Sequence, residues 1–196
     1  MKMRDVMKEN LFSWREEPQS SDVESIRKIV GSTHFFSLEE RSIAVELAEE
    51  RLLKGLSSGY YFLFAEEHKN MIGYACFGPI PATRDSFDLY WIAVRNDQRG
   101  FGLGKAILGK AEQKIGALGG KKIYVETSSR DQYKSTQAFY RTCGYKKEAV
   151  LPDFYSLGDD KIIYVKTLSP RKISGTVRTQ MRGYGGTLND RQTGRA

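Results

Sequence analysis

An apolar strand, a glycine-rich turn and an amphipathic helix follow one another near the middle of this chain, and they restrict its fold more than any other feature. Both faces of the strand at residues 87–94 are apolar, with Leu89, Trp91 and Ala93 predicted on one and Tyr90, Ile92 and Val94 on the other. Such a strand belongs inside a sheet that is covered on both sides. The helix leads into another strand at residues 122–127, which predicts a right-handed crossover between two parallel strands.

The rest of the sequence predicts further helices and strands on either side of this unit. Capping boxes at Ser21/Glu24 and Ser37/Glu40 predict the starts of two early helices. The other predicted elements are a strand at residues 11–16, a hairpin at 60–66 and 71–77, a helix at 135–142 and a final antiparallel pair at 145–150 and 161–168. This order predicts a layered α/β (or α+β) fold.

Composition excludes several other classes of protein. With 196 residues, 40% of them hydrophobic and 28% charged, the chain has the balance of a soluble single domain. No run approaches the roughly 20 apolar residues of a membrane span, and the charged N-terminus does not resemble a secretory signal. Cys76 and Cys143 suit a reducing cytoplasm, and His34 and His68 belong to no metal-binding pattern. We therefore expect a cytoplasmic protein with no membrane or metal partner.

The positive charge is concentrated at the C-terminus. Formal net charge is +7, but residues 169–196 alone carry six basic side chains, one acid and five glycines. The other 168 residues hold 25 basic and 23 acidic groups. So few apolar residues cannot offset the entropy of ordering the segment, which predicts a flexible basic tail. Such a tail can contact nucleic acid, but we favour a solvated tail with no partner.

The glycine-rich turn at residues 99–105, RGFGLGK, is the strongest candidate binding site. A helix start leaves main-chain N–H groups unpaired and carries partial positive charge, so this turn, with Arg99 and Lys105, predicts a cradle for a diphosphate. It is not a P-loop, since alanine follows Lys105, and its glycines do not fit the GxGxxG spacing. Close packing of the helix on the strand is the alternative role for these glycines.

Two motifs resemble those of the GCN5-related N-acetyltransferase (GNAT) family. VRNDQRGFGLG at residues 94–104 is similar to the family's acetyl-CoA signature, R/Q-x-x-G-x-G/A. AFYRTCGY at residues 138–145 is similar to its F-Y-x-x-x-G-F/Y segment on the helix after the fifth strand. The resemblance covers residues 11–168. It implies a mixed, mostly antiparallel central sheet of six to seven strands with a parallel, splayed β4/β5 pair and about four flanking helices. It also predicts an N-acetyltransferase domain at residues 1–168, in which residues 1–10 are a leader.

The resemblance implies where acetyl-CoA binds. Main-chain groups of the fourth strand would hold the pantetheine arm, and N–H groups of the turn would hold the pyrophosphate. The residues concerned are Ile92, Ala93, Val94, Arg99, Gly100, Phe101, Gly102, Leu103, Gly104 and Lys105. Tyr140 matches the tyrosine that faces the cofactor sulfur. Ser135 stands where the family often has an asparagine that touches the cofactor, so this contact is expected to be weaker.

Acetyl transfer to an amine needs a base, an oxyanion donor and a proton for the leaving thiolate. An alkylamine has a pKa near 10, so it must lose a proton before it attacks. Asp88 on the fourth strand and Glu126 on the fifth are the candidate bases. A water chain without a dedicated base is the alternative. An N–H at Ile92 would donate to the oxyanion, and Tyr140 would protonate the thiolate. The alternative roles are a surface carboxylate for Asp88, a salt bridge for Glu126 and core packing for Tyr140. We expect direct transfer in a ternary complex.

In the family, the acceptor lies between the first two helices and the loop that joins the last two strands. Both walls are acidic or aromatic here, and their residues are Glu39, Glu40, Glu46, Glu49, Glu50, Asp153, Phe154, Tyr155, Asp159 and Asp160. Further candidates for the lining are Phe35, Phe36, Tyr60 and Tyr61. Aromatic rings with carboxylates suit a cationic amine. The alternative is ordinary, because acids also enrich solvated helix faces.

The leading hypothesis is an acetyl-CoA-dependent N-acetyltransferase that acts on a small-molecule or amino-acid-like amine. A protein N-terminal or lysine acetyltransferase would use the same motifs, so a protein acceptor stays open, as does a homodimer. The alternative of another class is a non-catalytic acyl-CoA-binding module that its basic tail tethers to nucleic acid.

Overall fold

Seven strands form one mixed sheet in the computed structural model, which describes residues 12–33 and 36–169. The strands are β1 (Ser13–Arg15), β2 (Tyr61–Glu67), β3 (Asn70–Pro79), β4 (Ser86–Val94), β5 (Lys122–Ser128), β6 (Lys146–Ser156) and β7 (Asp159–Thr167). The helices are α1 (Ser20–Ser32), α2 (Leu38–Lys54), α3 (Leu103–Ala117) and α4 (Lys134–Thr142). The spatial order is β1-β2-β3-β4-β5-β7-β6, and within it β4 and β5 run parallel while the other neighbouring strands run antiparallel.

The expected fold class is confirmed. Helices α3 and α4 pack on one face of the sheet, over a cluster that includes Ile107 and Tyr140, and α1 and α2 pack on the other face, over a cluster that includes Phe64. No described helix is both long and apolar enough to cross a bilayer. The described residues contain no group of three or more side chains suited to a metal ion. The predicted leader and nearly all of the predicted basic tail lie outside the described residues.

The parallel pair β4/β5 is joined at one end only. Three positions pair, Ser86 with Lys122, Phe87 with Ile123 and Asp88 with Tyr124. Beyond Asp88 the two strands separate, although β4 continues to Val94 and β5 continues to Ser128. The expected splay is therefore present, and its open end points toward the glycine-rich turn that follows β4.

A bulge in β4 overturns the predicted division of its side chains. The register with β3 shifts so that Cys76 faces Trp91 and Phe77 faces Leu89, which leaves Tyr90 as the extra residue. Leu89 therefore lies in the α3 cluster, whereas Trp91 packs against the α1/α2 cluster. Alternation by two predicted that these residues share a face, and it fails because a bulge reverses the phase.

One of the two predicted capping boxes is correct. Ser37 caps α2, its hydroxyl accepting from the Glu40 N–H and its own N–H donating to the Glu40 carboxylate. The box predicted at Ser21 is wrong, because α1 begins at Ser20 with Gln19 as its N-cap. The carboxylate of Asp22 accepts from the Gln19 N–H at 2.6 Å and pairs with Arg15 of β1, an anchor that lies outside the helix sequence.

The segment predicted as a loop at residues 151–160 is mostly strand. β6 continues to Ser156 and β7 begins at Asp159, so only a tight turn joins them. The register shifts between Leu151 and Ser156, and Asp153 has a positive φ of 53°. The predicted strands were therefore too short at their ends at residues 150 and 161, because the proline, aspartate and glycine of this segment mark an irregular hairpin.

Candidate active site

A cleft of about 670 Å³ occupies the gap between the separated ends of β4 and β5. Its lining begins at the glycine-rich turn and the start of α3, passes β4, β5 and α4, and ends at α2 and the β6–β7 hairpin. One cleft therefore connects the predicted diphosphate cradle to the predicted acceptor walls.

The glycine-rich turn presents open main-chain donors. Ala106 donates to the Gly102 oxygen, which is the first hydrogen bond of α3. The N–H groups of Gly100, Gly102, Gly104 and Lys105 have no main-chain acceptor among the described residues. Gly100 and Gly102 have φ values of +83° and +86°, and a Cβ built on either would meet no atom within 4 Å. Their left-handed backbone explains the glycines, and the open space leaves room for a ligand against the main chain.

The cleft brings together most of the cofactor-binding residues that the sequence predicted. Those whose atoms line it are Ile92, Ala93, Val94, Arg99, Gly100, Gly102, Gly104, Lys105, Ser135 and Tyr140. Phe101 and Leu103 are not part of the lining. The Leu103 side chain is buried in the α3 cluster, and Phe101 is 64% exposed. The predicted contribution of these two residues was their main-chain N–H groups.

Tyr140 lies where α4 meets the cleft. Its ring packs against Phe139, Tyr145 and Tyr164, at centroid distances of 5.4, 5.5 and 6.1 Å. The main-chain carbonyl oxygen of Tyr140 accepts hydrogen bonds from the N–H groups of Cys143 and Tyr145, where the helix ends. Burial raises the pKa of Tyr140 above its ordinary value. The phenol therefore keeps its proton throughout the neutral range, in a ring position held by three aromatic neighbours.

Asp88 marks the point where β4 and β5 separate. It is the last β4 residue that pairs with β5, and the lining of the cleft begins at the next residue, Leu89. Burial, assisted by the negative charge of Glu126, raises the pKa of Asp88 to about 6, while the positive charge of Lys161 opposes the shift. The half-buried carboxylate is thus ionised at pH 7 and able to take up a proton at slightly lower pH.

Glu126 lines the cleft opposite β4 and is held by Lys161. The Lys161 Nζ lies 2.6 Å from the Glu126 Oε2, and the two side chains are 13% and 50% exposed. The same ammonium lies 3.7 Å from the centre of the Phe154 ring and 5.8 Å from that of Tyr155. The salt bridge considered as an alternative role for Glu126 is therefore present, in the wall of the cleft itself.

We call the end of the cleft that is farther from the glycine-rich turn, between α2 and the β6–β7 hairpin, the acceptor half, after its predicted role. Aromatic side chains form much of it. Trp91 packs on Phe36 with ring centroids 4.9 Å apart, and Tyr90 meets Tyr60 edge-on at 5.4 Å. Phe36, Tyr90, Trp91, Tyr133 and Tyr155 line the cleft. Because these rings come from four separate regions of the sequence, only the packing of the helices and the hairpin on the sheet brings them together.

Sequence reasoning missed four polar residues of the site. Lys161 pairs with Glu126, and Thr127 lines the cleft with a buried hydroxyl that has no hydrogen-bond partner in the described part of the chain. The Tyr133 hydroxyl donates to the Glu40 carboxylate at 2.7 Å, which links the start of α4 to α2. Arg130 pairs with Asp159 at 2.9 Å, and Asp159 also accepts from Ser128. The sequence offered one signal for Lys161, since a charged residue directly before the apolar run of β7 can face a carboxylate on the neighbouring strand. It offered no signal for the other three residues.

The cleft is lined by some of the residues of the predicted acceptor walls. Of the five glutamates on the second helix, Glu40 lines the cleft, whereas Glu46 and Glu49 face a separate groove between α1 and α2. Tyr155 lines the cleft, while Asp159 is buried beneath the hairpin. Phe35 lies outside the described residues.

Comparison with known proteins agrees with this geometry. The sequence profile of the acetyltransferase (GNAT) family matches residues 11–145. A protein from Desulfovibrio desulfuricans assigned to the GNAT family has a solved structure with a TM-score of 0.78 and 43% identity, covering 80% of this chain and 98% of its own. No protein with a curated description matches the sequence at a significant level.

Two more distant solved structures share the fold. An aminoglycoside 6'-N-acetyltransferase complexed with coenzyme A is 18% identical, with a TM-score of 0.64, and covers 82% of this chain and 98% of its own. A ribosomal-protein alanine N-acetyltransferase from Escherichia coli is also 18% identical, with a TM-score of 0.63, and covers 84% of this chain and 99% of its own. Since the family profile spans most of the chain and the Desulfovibrio protein is 43% identical to it, this protein belongs to the GNAT family of acetyltransferases.

Proposed function

We propose that this protein transfers the acetyl group of acetyl-CoA to the primary amine of a small molecule. The observation that carries the proposal is the cleft itself. It joins the main-chain donors of residues 99–105 to the region of Asp88 and Glu126, where β4 and β5 separate. A cofactor held by its diphosphate at one end and an amine held at the other would bring the thioester and the amine together in the gap between the strands.

The residues present fit acetyl-CoA. The N–H groups at the start of α3 and the side chains of Arg99 and Lys105 would hold the pyrophosphate. Beyond Asp88, the β5-facing edge of β4 has no strand partner among the described residues, so its main-chain groups remain open to the pantetheine amides. The buried hydroxyl of Thr127 also faces this gap without a partner, as expected of a group that a ligand satisfies. Ser135, at the start of α4, would add a weaker polar contact.

The base in this proposal is Asp88. Bound acetyl-CoA supplies the acetyl thioester, and the incoming amine must be neutral to attack it. Asp88 would accept the amine proton through water, because the carboxylate itself lies behind the lining of the cleft. Its pKa of about 6 leaves it ionised at neutral pH yet close enough to exchange protons efficiently. Glu126, which is ion-paired with Lys161, does not serve as the base in this proposal. It orients the ammonium form of the substrate amine before the proton is lost.

Tyr140 acts as a hydrogen-bond donor in this proposal rather than as a full proton donor. Burial raises the pKa of its phenol, whereas a thiol has a pKa of roughly 8.5, so transfer of the phenol proton to a thiolate is uphill. A fixed O–H can still stabilise negative charge that develops on sulfur. The N–H of Ile92, on the open edge of β4, is the proposed donor to the oxyanion.

A protein amine is the second candidate acceptor. The tip of the β6–β7 hairpin exposes apolar side chains beside the acceptor half, and Leu157 is 94% exposed while Phe154 is 52% exposed. A peptide that lies across the cleft would cover such side chains, which favours an N-terminal or lysine acetyltransferase as the alternative. A non-catalytic acyl-CoA-binding module would use the diphosphate cradle alone.

A direct test is to incubate the full chain with acetyl-CoA and a panel of small amines and N-terminal peptides. Release of the coenzyme A thiol is followed by absorbance, and acetylated products are identified by mass. We expect amine-dependent release with at least one small amine. Binding of acetyl-CoA without amine-dependent release would support the binding module, and release with peptides alone would move the acceptor to the protein class.

A further inference from the structure

Lys161 is a fixed cation beside the acceptor half of the cleft, where it contacts the lining residue Glu126. Its register explains its position, because Glu126 of β5 lies opposite Ile163 of β7 and Lys161 lies two residues before Ile163 on the same face. The ammonium contacts the Glu126 carboxylate at 2.6 Å and the Phe154 ring at 3.7 Å, and its side chain is only 13% exposed. It is therefore held from two sides and cannot swing out freely.

The other charges of the acceptor half make this lysine consequential. Three carboxylates surround that half, and two are already engaged, Glu40 by the Tyr133 hydroxyl and Glu126 by Lys161. Asp88 has neither an ion pair nor a side-chain hydrogen bond among the described residues. Both Glu40 oxygens already accept hydrogen bonds, one from the Tyr133 hydroxyl and one from the Ser37 N–H. With Lys161 on Glu126, Asp88 is the one of the three carboxylates that no polar side chain of the described residues engages, which suits one ammonium group beside aromatic walls.

We propose that Lys161 determines acceptor specificity: by occupying Glu126 it leaves Asp88 as the single unengaged carboxylate for the substrate, and so it selects monoamines with an apolar body over diamines and polyamines. The inference rests on the proposed acetyl transfer and names its substrate class. A second ammonium group would find its carboxylate neutralised and would meet the Lys161 charge within the same wall. The aromatic rings of Trp91 and Tyr155 offer it no compensating anion.

The same geometry predicts an effect on pH dependence. The titratable groups around Asp88 are Tyr90 on the same strand, Glu126 on β5 and Lys161 on β7. Tyr155 of the hairpin lies beside Glu126, and the β3 residue that pairs with Asp88 is Gly78, which does not titrate. The Lys161 charge lowers the pKa of Asp88 and the Glu126 charge raises it. Removal of the lysine charge therefore raises the pKa of Asp88, and the acidic limb of kcat/KM moves to higher pH.

The test compares n-pentylamine with 1,5-diaminopentane, which share a carbon chain and differ by one ammonium group. Coenzyme A release gives kcat/KM for each amine with the wild-type chain, Lys161→Met and the charge-preserving Lys161→Arg. We expect the wild type and Lys161→Arg to prefer pentylamine. Lys161→Met should shift the ratio toward the diamine by about fivefold, the size of a partly exposed ion pair, and should move the acidic limb upward. Retained coenzyme A affinity confirms that each variant is folded.

Each outcome bears on a different claim. If the wild-type chain releases no coenzyme A with any small amine of the panel, the proposed transfer fails and this inference fails with it; if it accepts other small amines but neither of these two, transfer stands and this inference fails. If the wild type prefers the diamine, or if a folded Lys161→Met keeps both the wild-type ratio and the wild-type acidic limb, transfer stands and the role of Lys161 is wrong. The wild-type preference tests the inference even where Lys161→Met does not fold, and Lys161→Gln then replaces it.

Discussion

The two halves of the cleft present different kinds of groups. The half around residues 99–105 presents main-chain N–H groups from one continuous turn, and its glycines supply backbone freedom and space. The acceptor half presents side chains from β4, β5, α2 and the hairpin, among them Trp91, Glu126 and Tyr155, and Lys161 of β7 holds Glu126 in place. A main-chain cradle is formed by consecutive residues and can be predicted from them, whereas a wall of side chains depends on how distant elements pack. The first can stay constant through a family while the second changes with the acceptor.

The largest effect is expected where the acceptor half meets the reaction. Asp88→Asn should lower kcat/KM at pH 8 by about 100-fold, because a positioned base contributes at least that much. Wild-type activity should fall as pH drops through about 6, since protonated Asp88 cannot accept a proton, and the variant should lose this limb. Asp85→Asn is the matched control, because Asp85 lies just before β4 in a surface ion pair with Lys121. An unchanged limb at pH 6 would remove Asp88 from this role.

The cradle can be tested at Gly104 without strain in the backbone. A Cβ there makes ordinary contacts with Phe139 and Val94 at 3.7–3.8 Å, and the larger Gly104→Val side chain should enter the cleft and raise the Kd of coenzyme A about tenfold. Gly109→Val in the same helix, where a Cβ meets no atom within 4 Å, should leave this Kd unchanged. Gly102 is a poorer choice, because its φ of +86° strains any substituted side chain. Equal affinities in both variants would contradict the cradle.

Tyr140 lies at the junction of the two halves. Tyr140→Phe should lower kcat about tenfold through the loss of one hydrogen bond to developing charge, with little change in coenzyme A affinity. Steady-state kinetics and calorimetry separate these effects. Tyr61→Phe is the control, since Tyr61 stacks on Phe77 away from the cleft. If kcat in Tyr140→Phe matches the wild type, the phenol has only a packing role.

The smallest effect is expected at the support of the hairpin. The carboxylate of Asp159 accepts from the Ser128 hydroxyl and pairs with Arg130, which fastens the hairpin to the end of β5. Asp159→Asn should raise the acceptor KM about fivefold through loss of this ion pair, without a change in the Kd of coenzyme A. Asp131→Asn, in an exposed pair with Lys134, is the control. A rise in the Kd of coenzyme A instead would mean that Asp159 supports the cradle.

Local patterns in the sequence were sufficient for the order of most elements and for the parallel pair around the glycine-rich turn, whereas the splay of that pair was implied by the family resemblance. The local predictions rest on neighbours in the chain, such as the strand–turn–helix run around Gly102 or the capping box at Ser37. The errors arose where a local pattern competed with a distant contact. Asp22 anchors the start of α1 through Arg15 instead of the predicted Ser21, and the bulge at Tyr90 turns Trp91 to the opposite face.

The sequence alone was therefore enough to predict the glycine-rich turn with its open main-chain donors, because donors at a helix start follow from consecutive residues. The character of the acceptor half needed the folded chain. Glu126 and Lys161 are 35 positions apart in the sequence, and they pair because β7 adds to β5 in one register. The pKa of Asp88 likewise depends on burial and on those two charges together. Electrostatic interactions act through space, so the charge offered to an amine emerges only once the strands are assembled.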